Sequence, residues 1–256
     1  MNKEELFKFL VSEAKHPFSG WDFSHLNDRV VNGPLTWSYR SKILPIIRKA
    51  DSLLDMGTGG GEFLASLMPL PSHTCATEGY EPNVSIARNL LESLGVKVYP
   101  FKEDTNLPFN DEEFDVIINR HESYSPEEVY RLLKPGGYFV TQQVGVKNDS
   151  KLRYVLTDKE DENEDEEWKL ENIIKKLESS GFRVLEREEN ITSTRIYDVG
   201  AIVYYFKAIP WELPDFSVEK YHHKLEKIHD HIVKNGYLDL DGNNHRLFVK
   251  AIKPII

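Results

Sequence analysis

The residues that could do chemistry begin at Leu53-Leu54-Asp55-Met56-Gly57-Thr58-Gly59-Gly60-Gly61-Glu62, where an apolar strand runs into a glycine turn and then a helix starting near Glu62. Glycine suits such a turn because it adopts backbone angles closed to other residues and leaves no Cβ to block a ligand. The free N–H groups of the following helix point back at the same place. The stretch therefore makes a nucleotide-sized cradle, with a bland strand-to-helix turn as the competing explanation. A nucleoside site on such a sheet needs an acid at the end of the second strand, about 20 residues past the glycines, to accept hydrogen bonds from ribose hydroxyls. Glu78 stands there. Glu81 is its rival, although it precedes Pro82 at a helix N-terminus, where a carboxylate is favoured anyway. Farther on, Glu103-Asp104-Thr105-Asn106-Leu107-Pro108-Phe109 offers an acid to accept an adenine amino group and apolar neighbours to flank its ring, or a simple turn aspartate. His121, in Asn119-Arg120-His121-Glu122, is placed either to act as a general base toward a hydroxyl or carbon acid, or merely to pack. His222, His223, His229 and His231 have no i, i+4 pair among them, so no metal is expected.

These residues need a scaffold. A chain of 256 residues, 40% hydrophobic and 29% charged, suffices for one sizeable core, so a single domain with insertions is expected over 1–256. The net charge of -10 argues against a broad phosphate-binding surface and hence against nucleic acid; a small, uncharged or cationic substrate, or a protein partner, fits better. The one cysteine, Cys75, excludes an intramolecular disulfide and a cysteine-based zinc site. No run approaches the ~18 apolar residues of a membrane span, and a cytoplasmic protein is expected.

Residues 1–50 are rich in aromatics and predict a helical cap ahead of any strand. From residue 51 short apolar runs alternate with helical periodicity, the pattern of a parallel sheet covered on both faces. Strands are predicted over 52–56, 74–78, 96–101, 114–119 and 138–142, with 51–142 as the ligand-binding core. Pro82 to Leu94 has a helical apolar stripe stopped by Gly95, and Ser125-Pro126-Glu127-Glu128 starts a helix running to about Leu133. The remainder, 143–256, predicts insertions and closing strands. It holds an acidic run from Asp158 to Glu167, read as a solvated loop, and a helix over 168–179 followed by a strand over 182–189. A mostly apolar segment over 198–208 comes next, then a Ser217-capped helix to about Asn235 and a last strand over 245–252. Trp21, Trp37, Tyr39, Tyr204 and Trp211 are candidate walls of an acceptor pocket.

Taken in order, the glycine turn, Glu78, Asp104 with Leu107-Pro108-Phe109, and Phe114-Asp115-Val116-Ile117-Ile118 followed by Arg131-Leu132-Leu133-Lys134-Pro135-Gly136-Gly137 resemble the class I S-adenosylmethionine-dependent methyltransferases. The small-molecule type related to ubiquinone and menaquinone biosynthesis is the nearest in pattern. The resemblance implies an α/β, Rossmann-like, mostly parallel seven-stranded sheet with helices on both faces and an antiparallel last strand pairing beside the fifth. It implies S-adenosylmethionine as cofactor, held by Asp55, Gly57, Thr58, Gly59, Gly61, Glu78, Gly79, Asp104, Thr105 and Asn119, with His121 as the catalytic candidate. It does not name the acceptor or the oligomeric state. An RNA methyltransferase, an NAD-dependent oxidoreductase and a non-catalytic cofactor-binding module are the alternatives. Glu62 occupies the place of the third glycine in a dinucleotide fingerprint, where its charge would repel a pyrophosphate.

Overall fold

The computed structural model describes residues 1–160 and 168–255. The acidic run predicted as a loop lies outside the described residues from 161 to 167. In chain order the elements are α1 (Lys3–Ala14), β1 (Val30–Asn32), α2 (Tyr39–Ile47), β2 (Ser52–Met56), α3 (Glu62–Ala65), β3 (His73–Glu78), α4 (Glu81–Leu91) and β4 (Lys97–Pro100). Then follow β5 (Phe114–Arg120), α5 (Pro126–Leu132), β6 (Leu133–Val144), α6 (Ser150–Thr157), α7 (Leu170–Ser179), β7 (Arg183–Ile196), α8 (Val199–Ala208), α9 (Val218–Asn235) and β8 (Leu238–Ile252).

The strands form one sheet in the order β1-β7-β8-β6-β5-β2-β3-β4. Strands β4, β3, β2, β5 and β6 run parallel, and β8 lies antiparallel beside β6, with Tyr138 opposite Ile252. The Rossmann-like α/β class holds, with eight strands instead of seven; β7 pairs antiparallel with β8 and so runs in the direction of the parallel strands, and β1 pairs antiparallel with β7. The extra strand interrupts the helical cap expected over 1–50. At three residues it is too short to carry its own alternation, and its place is fixed by distant pairing of Val30 with Ile196.

Because side chains alternate across a strand, neighbours in β2 serve opposite layers. Leu53 joins Val116, Ile118, Val140 and Phe248 beneath α2 and α4, whereas Leu54 joins Ile117, Phe139 and Val249 beneath α5 and α7. Helix starts follow the sequence signals. The Ser125 hydroxyl accepts from the N–H of Glu128 at 3.2 Å and the Ser217 hydroxyl from that of Lys220 at 3.1 Å, each supplying one of the orphan donors of a first turn. Tyr39, in the first turn of α2, donates its hydroxyl to the carbonyls of Asn119 and Val140, both at 3.0 Å. This buried bond ties the carboxyl ends of β5 and β6 together, just where Arg120 and His121 follow.

A third apolar cluster sits over the long ends of β7 and β8. At about 3.3 Å per residue, strands of 14 and 15 residues outrun β2, which has five. Helices α1, α6, α8 and α9 pack on the overhang through Leu10, Leu152, Ile202, Phe206 and Leu225, against Ile196 and Leu240. Eight of the ten residues of α8 are buried, which explains a segment that is apolar on most sides.

Candidate functional site

The glycine turn after β2 and the overhanging lobe face each other across one cavity of ≈ 1510 Å³. A pocket for one small ligand is usually about 300–1,000 Å³, so this space has room for two.

At the sheet end the turn is built as its glycines require. Gly57 and Gly59 have φ of +71° and +63°, the left-handed region that L side chains rarely enter. A Cβ on Gly57 would lie 2.3 Å from Cγ of Glu122, and one on Gly59 would lie 3.1 Å from Cβ of Trp21. Glu78, at the end of β3, receives the N–H of Gly59 at 2.6 Å on one oxygen and that of Tyr80 at 2.8 Å on the other. Each carboxylate oxygen has two lone pairs, so Glu78 keeps acceptor capacity toward the cavity that it lines. Glu81 is exposed in the first turn of α4 and is not among the lining residues.

Carboxylates crowd this end. Asp55, Glu62, Glu78 and Glu122 all line it. Burial raises Asp55 to about 7, with Arg120 opposing and Glu78 adding to the shift. Burial also raises Glu78, against the backbone N–H groups that it accepts, and raises Glu122, with Glu78 and Asp104 adding repulsion. A cation entering this end would relieve all three, and an anion would be repelled.

His121 leaves β5 with φ of +61°, a conformation a non-glycine residue adopts only when its surroundings hold it there. Its N–H donates to the carbonyl of Gln142 at 2.9 Å. Trp37 Nε1 donates to Oε1 of Gln142 at 2.9 Å, which leaves Gln142 Nε2 facing His121 Nε2 at 3.3 Å. In that network Nε2 of His121 is the acceptor and its ring proton sits on Nδ1. Burial, and then the charges of Arg246 and Arg120, push the imidazole well below its ordinary range, so it is neutral at neutral pH.

The far end combines an apolar wall with a polar cluster. Asp149, with φ of +58°, accepts from Tyr205 Oη at 2.5 Å, Asn148 Nδ2 at 2.7 Å and Asn243 Nδ2 at 3.1 Å. Arg246 donates to Oδ1 of Asn148 and, at 2.9 Å, to the carbonyl of His245. Back beside the glycine turn, Trp21 stacks on Trp211 at the cavity wall with centroids 6.0 Å apart and planes 6° from parallel.

Of the residues the sequence singled out, Asp55, Gly57, Thr58, Gly59, Glu78 and His121 meet at the cavity. Gly61, Gly79, Asp104, Thr105 and Asn119 are not among its lining residues. Leu91 fills the place beside Gly61, its Cγ 2.7 Å from where a Cβ would be. Asn119 is fully buried, with Oδ1 accepting from Thr141 and Gln143. Asp104 and Thr105 sit in the loop after β4, where Asp104 reaches the site only as a charge on Glu122. Among the expected pocket walls only Trp21 and Trp211 line the cavity. Trp37, Tyr39 and Tyr204 are buried in the core, where they anchor α2 and α8. Arg120 and Glu122, two residues of the strand-end run, line it, as do Asp149, Tyr205 and Arg246 from the second half. Tyr205 reaches Asp149 across 56 residues and Arg246 reaches its neighbour Asn148 across 98, so no local spacing could reveal them. Among the described residues no group of three or more His, Cys, Asp or Glu is arranged to hold a metal ion, and no helix is long and apolar enough to cross a membrane.

A family model described as a methyltransferase domain matches residues 54–141, which contain the glycine turn, Glu78 and His121. No curated protein matches this sequence. Among solved structures, a protein of Deinococcus radiodurans R1 is similar at 13% identity with a TM-score of 0.60, covering 98% of each chain. A protein of Bacillus halodurans C-125 is similar at 20% identity and a TM-score of 0.58, covering 84% of this chain and 99% of that one. An S-adenosylmethionine-dependent methyltransferase of Mesorhizobium loti is similar at 14% identity and a TM-score of 0.51, covering 86% and 98%. At such identities the structural likeness shows the fold alone.

Proposed function

We propose, from the match of residues 54–141 to a methyltransferase domain and the geometry of the glycine turn, that this chain is a class I S-adenosylmethionine-dependent methyltransferase and that it transfers the methyl group to a small-molecule acceptor enclosed between the sheet edge and the overhanging lobe. The observation that carries the reading is one continuous cavity, walled by the glycine turn with Gly20 and Trp21 packed beside it and by residues of 143–256. The central segment, 51–142, supplies the cofactor side together with Arg120 and His121 toward the acceptor, and the two flanking segments close the rest of the acceptor side. An enclosed space suits a small acceptor better than an RNA surface, as does the net charge of -10. The buried free thiol of Cys75 is in keeping with a cytoplasmic protein.

The residues fit the cofactor. Gly57 and Gly59 leave a cradle that a Cβ would fill, and Glu78 has spare acceptor capacity for ribose hydroxyls. The crowded carboxylates favour a cationic ligand over a dinucleotide, whose pyrophosphate would meet Glu62, Glu78 and Glu122. When bound, S-adenosylmethionine supplies an electrophilic methyl group on a positively charged sulfur. The chain's part is then to align the acceptor and exclude water. Asp55 and Glu122 hold negative charge at the sheet end, and His121 faces the acceptor.

Two expectations follow from the titrating groups. Since Asp55 ionises near 7, S-adenosylmethionine affinity should rise as pH is taken from 6 to 8, while adenosylhomocysteine, with an uncharged sulfur, should change much less. Calorimetric titration of wild type and Asp55→Asn checks this, and an equal slope in the variant would acquit Asp55. His121 stays neutral above its depressed range, so at saturating cofactor kcat should show no histidine-like step between pH 6 and 7. His121→Gln should lower kcat by about 100-fold if the ring moves a proton and leave cofactor affinity unchanged. Because Nε2 accepts from Gln142, that role requires this hydrogen bond to open. Transfer of labelled methyl from the cofactor across a metabolite panel tests the function itself, and labelling of RNA with no small molecule labelled would overturn the proposal.

A further inference from the structure

Two guanidinium groups line the cavity, Arg120 between Asp55 and Phe63 of the sheet end and Arg246 in the polar cluster opposite, and among the described residues neither has a carboxylate within ion-pairing distance. Arg120, at the end of β5, forms no side-chain hydrogen bond among the described residues; its guanidinium lies 4.7 Å from the ring centroid of Phe63, and it is exposed toward the cavity. Arg246, on β8, spends its Nη1 donors on Asn148 and on the carbonyl of His245. An arginine has five N–H donors, and those on Nε and Nη2 meet no acceptor among the described residues. Nearby acids are otherwise engaged. Asp149 is satisfied by Tyr205, Asn148 and Asn243, and Glu212 is paired with Arg153 at 2.5 Å. Asp55 acts on Arg120, and Asp149 on Arg246, only as charges at longer range. Both guanidinium groups act on His121, which places that ring in reach of both fields. Leu26, Leu152, Ile196 and Ile202 give the same cavity an apolar wall.

A pair of like charges at a partly desolvated cavity repels and stays without a counterion unless a ligand brings one. Guanidinium forks match planar oxyanions, to which they donate paired hydrogen bonds. Resting on the methyltransferase reading, we propose that the acceptor carries an oxyanion group, a carboxylate or a phosphate, on an apolar body. The oxyanion sits at Arg120 and Arg246 while the apolar body lies along the leucine and isoleucine wall. The cavity is thereby divided by charge, with carboxylates crowding the cofactor end, Arg246 at the opposite end and Arg120 between the two, beside Asp55. The division sets which way round two ligands enter.

The test uses the full chain saturated with adenosylhomocysteine and titrated, by the fluorescence of its tryptophans, with 3-phenylpropanoate, phenyl phosphate and the uncharged 3-phenylpropanamide. At least one anion should bind tenfold or more tightly than the amide, and the two anions together say which oxyanion the site prefers. Arg120→Gln, which removes no hydrogen bond of the fold, and Arg246→Lys, which keeps charge but loses the fork, should each weaken that anion by about tenfold. Both should leave adenosylhomocysteine affinity within twofold. Equal binding of anions and amide, or anion binding indifferent to both variants, overturns the proposal. Weakened adenosylhomocysteine binding in the variants also overturns it, because the arginines would then serve the cofactor's own carboxylate. In that case the methyltransferase reading stands, whereas it falls if wild type does not take up adenosylhomocysteine at all.

Discussion

Gly57→Val is expected to lower S-adenosylmethionine affinity by about 100-fold or more while the far-ultraviolet circular dichroism of the chain stays near wild type. Two costs combine. A β-branched residue at φ +71° is strained by roughly 1–2 kcal/mol, and its Cβ would fall 2.3 Å from Glu122, which must be displaced into the cavity. Each 1.4 kcal/mol is about tenfold in affinity, and the displaced Glu122 would also occupy cofactor space. Gly95→Ala separates strain from obstruction. Gly95 has φ +83° but nothing within 4 Å of a Cβ, far from the cavity walls. That variant should lose stability by about 1–2 kcal/mol and bind the cofactor as wild type does. Isothermal titration of both decides the matter, and unchanged affinity in Gly57→Val would remove the turn from the site.

Glu78→Ala should weaken adenosylhomocysteine binding by about 1–3 kcal/mol, the cost of leaving polar partners unpaired. The carboxylate holds two turns at once through Gly59 and Tyr80, so its loss removes both the ribose acceptor and the brace of the glycine turn. Glu78→Gln retains an acceptor oxygen and should recover part of the loss. Glu81→Ala, changing an exposed residue, should stay within about 0.5 kcal/mol. A larger effect at Glu81 than at Glu78 would identify the wrong acid.

The parallel half of the sheet was legible because its signals are local. Strand β2 runs over the predicted 52–56, Ser125 and Ser217 cap the helices predicted from them, and Gly95 follows α4 with its short terminal turn in the left-handed conformation. The antiparallel half was less so. Strand β8 begins at Leu238 instead of His245 because its first half buries Asn243, Asn244 and His245, which breaks the apolar alternation that marks a strand. Those polar groups are tolerated because they are partnered: Asn243 with Asp149 and Thr194, Asn244 with Thr192 and His245 with Glu189. The site divides along the same line. Its sheet end could be predicted from one glycine turn and one spaced acid, whereas Asp149, Tyr205 and Arg246 come together only through the register of β7 on β8 and the seating of α6 and α8. Trp37 and Tyr39, expected as pocket walls, are buried because their polar tips bond Gln142 and the carbonyls of β5 and β6.

A crystal structure of the chain with adenosylhomocysteine bears most directly on the central claim, that Gly57, Gly59 and Glu78 seat the cofactor at the carboxyl edge of the sheet. The predicted result is the ribose hydroxyls within hydrogen-bonding distance of the Glu78 carboxylate, the chain passing over Gly57 and Gly59, and the end bearing Arg246 left open. Adenosylhomocysteine lying at the Arg246 end, or placed with no contact to Glu78 or the glycine turn, would contradict it.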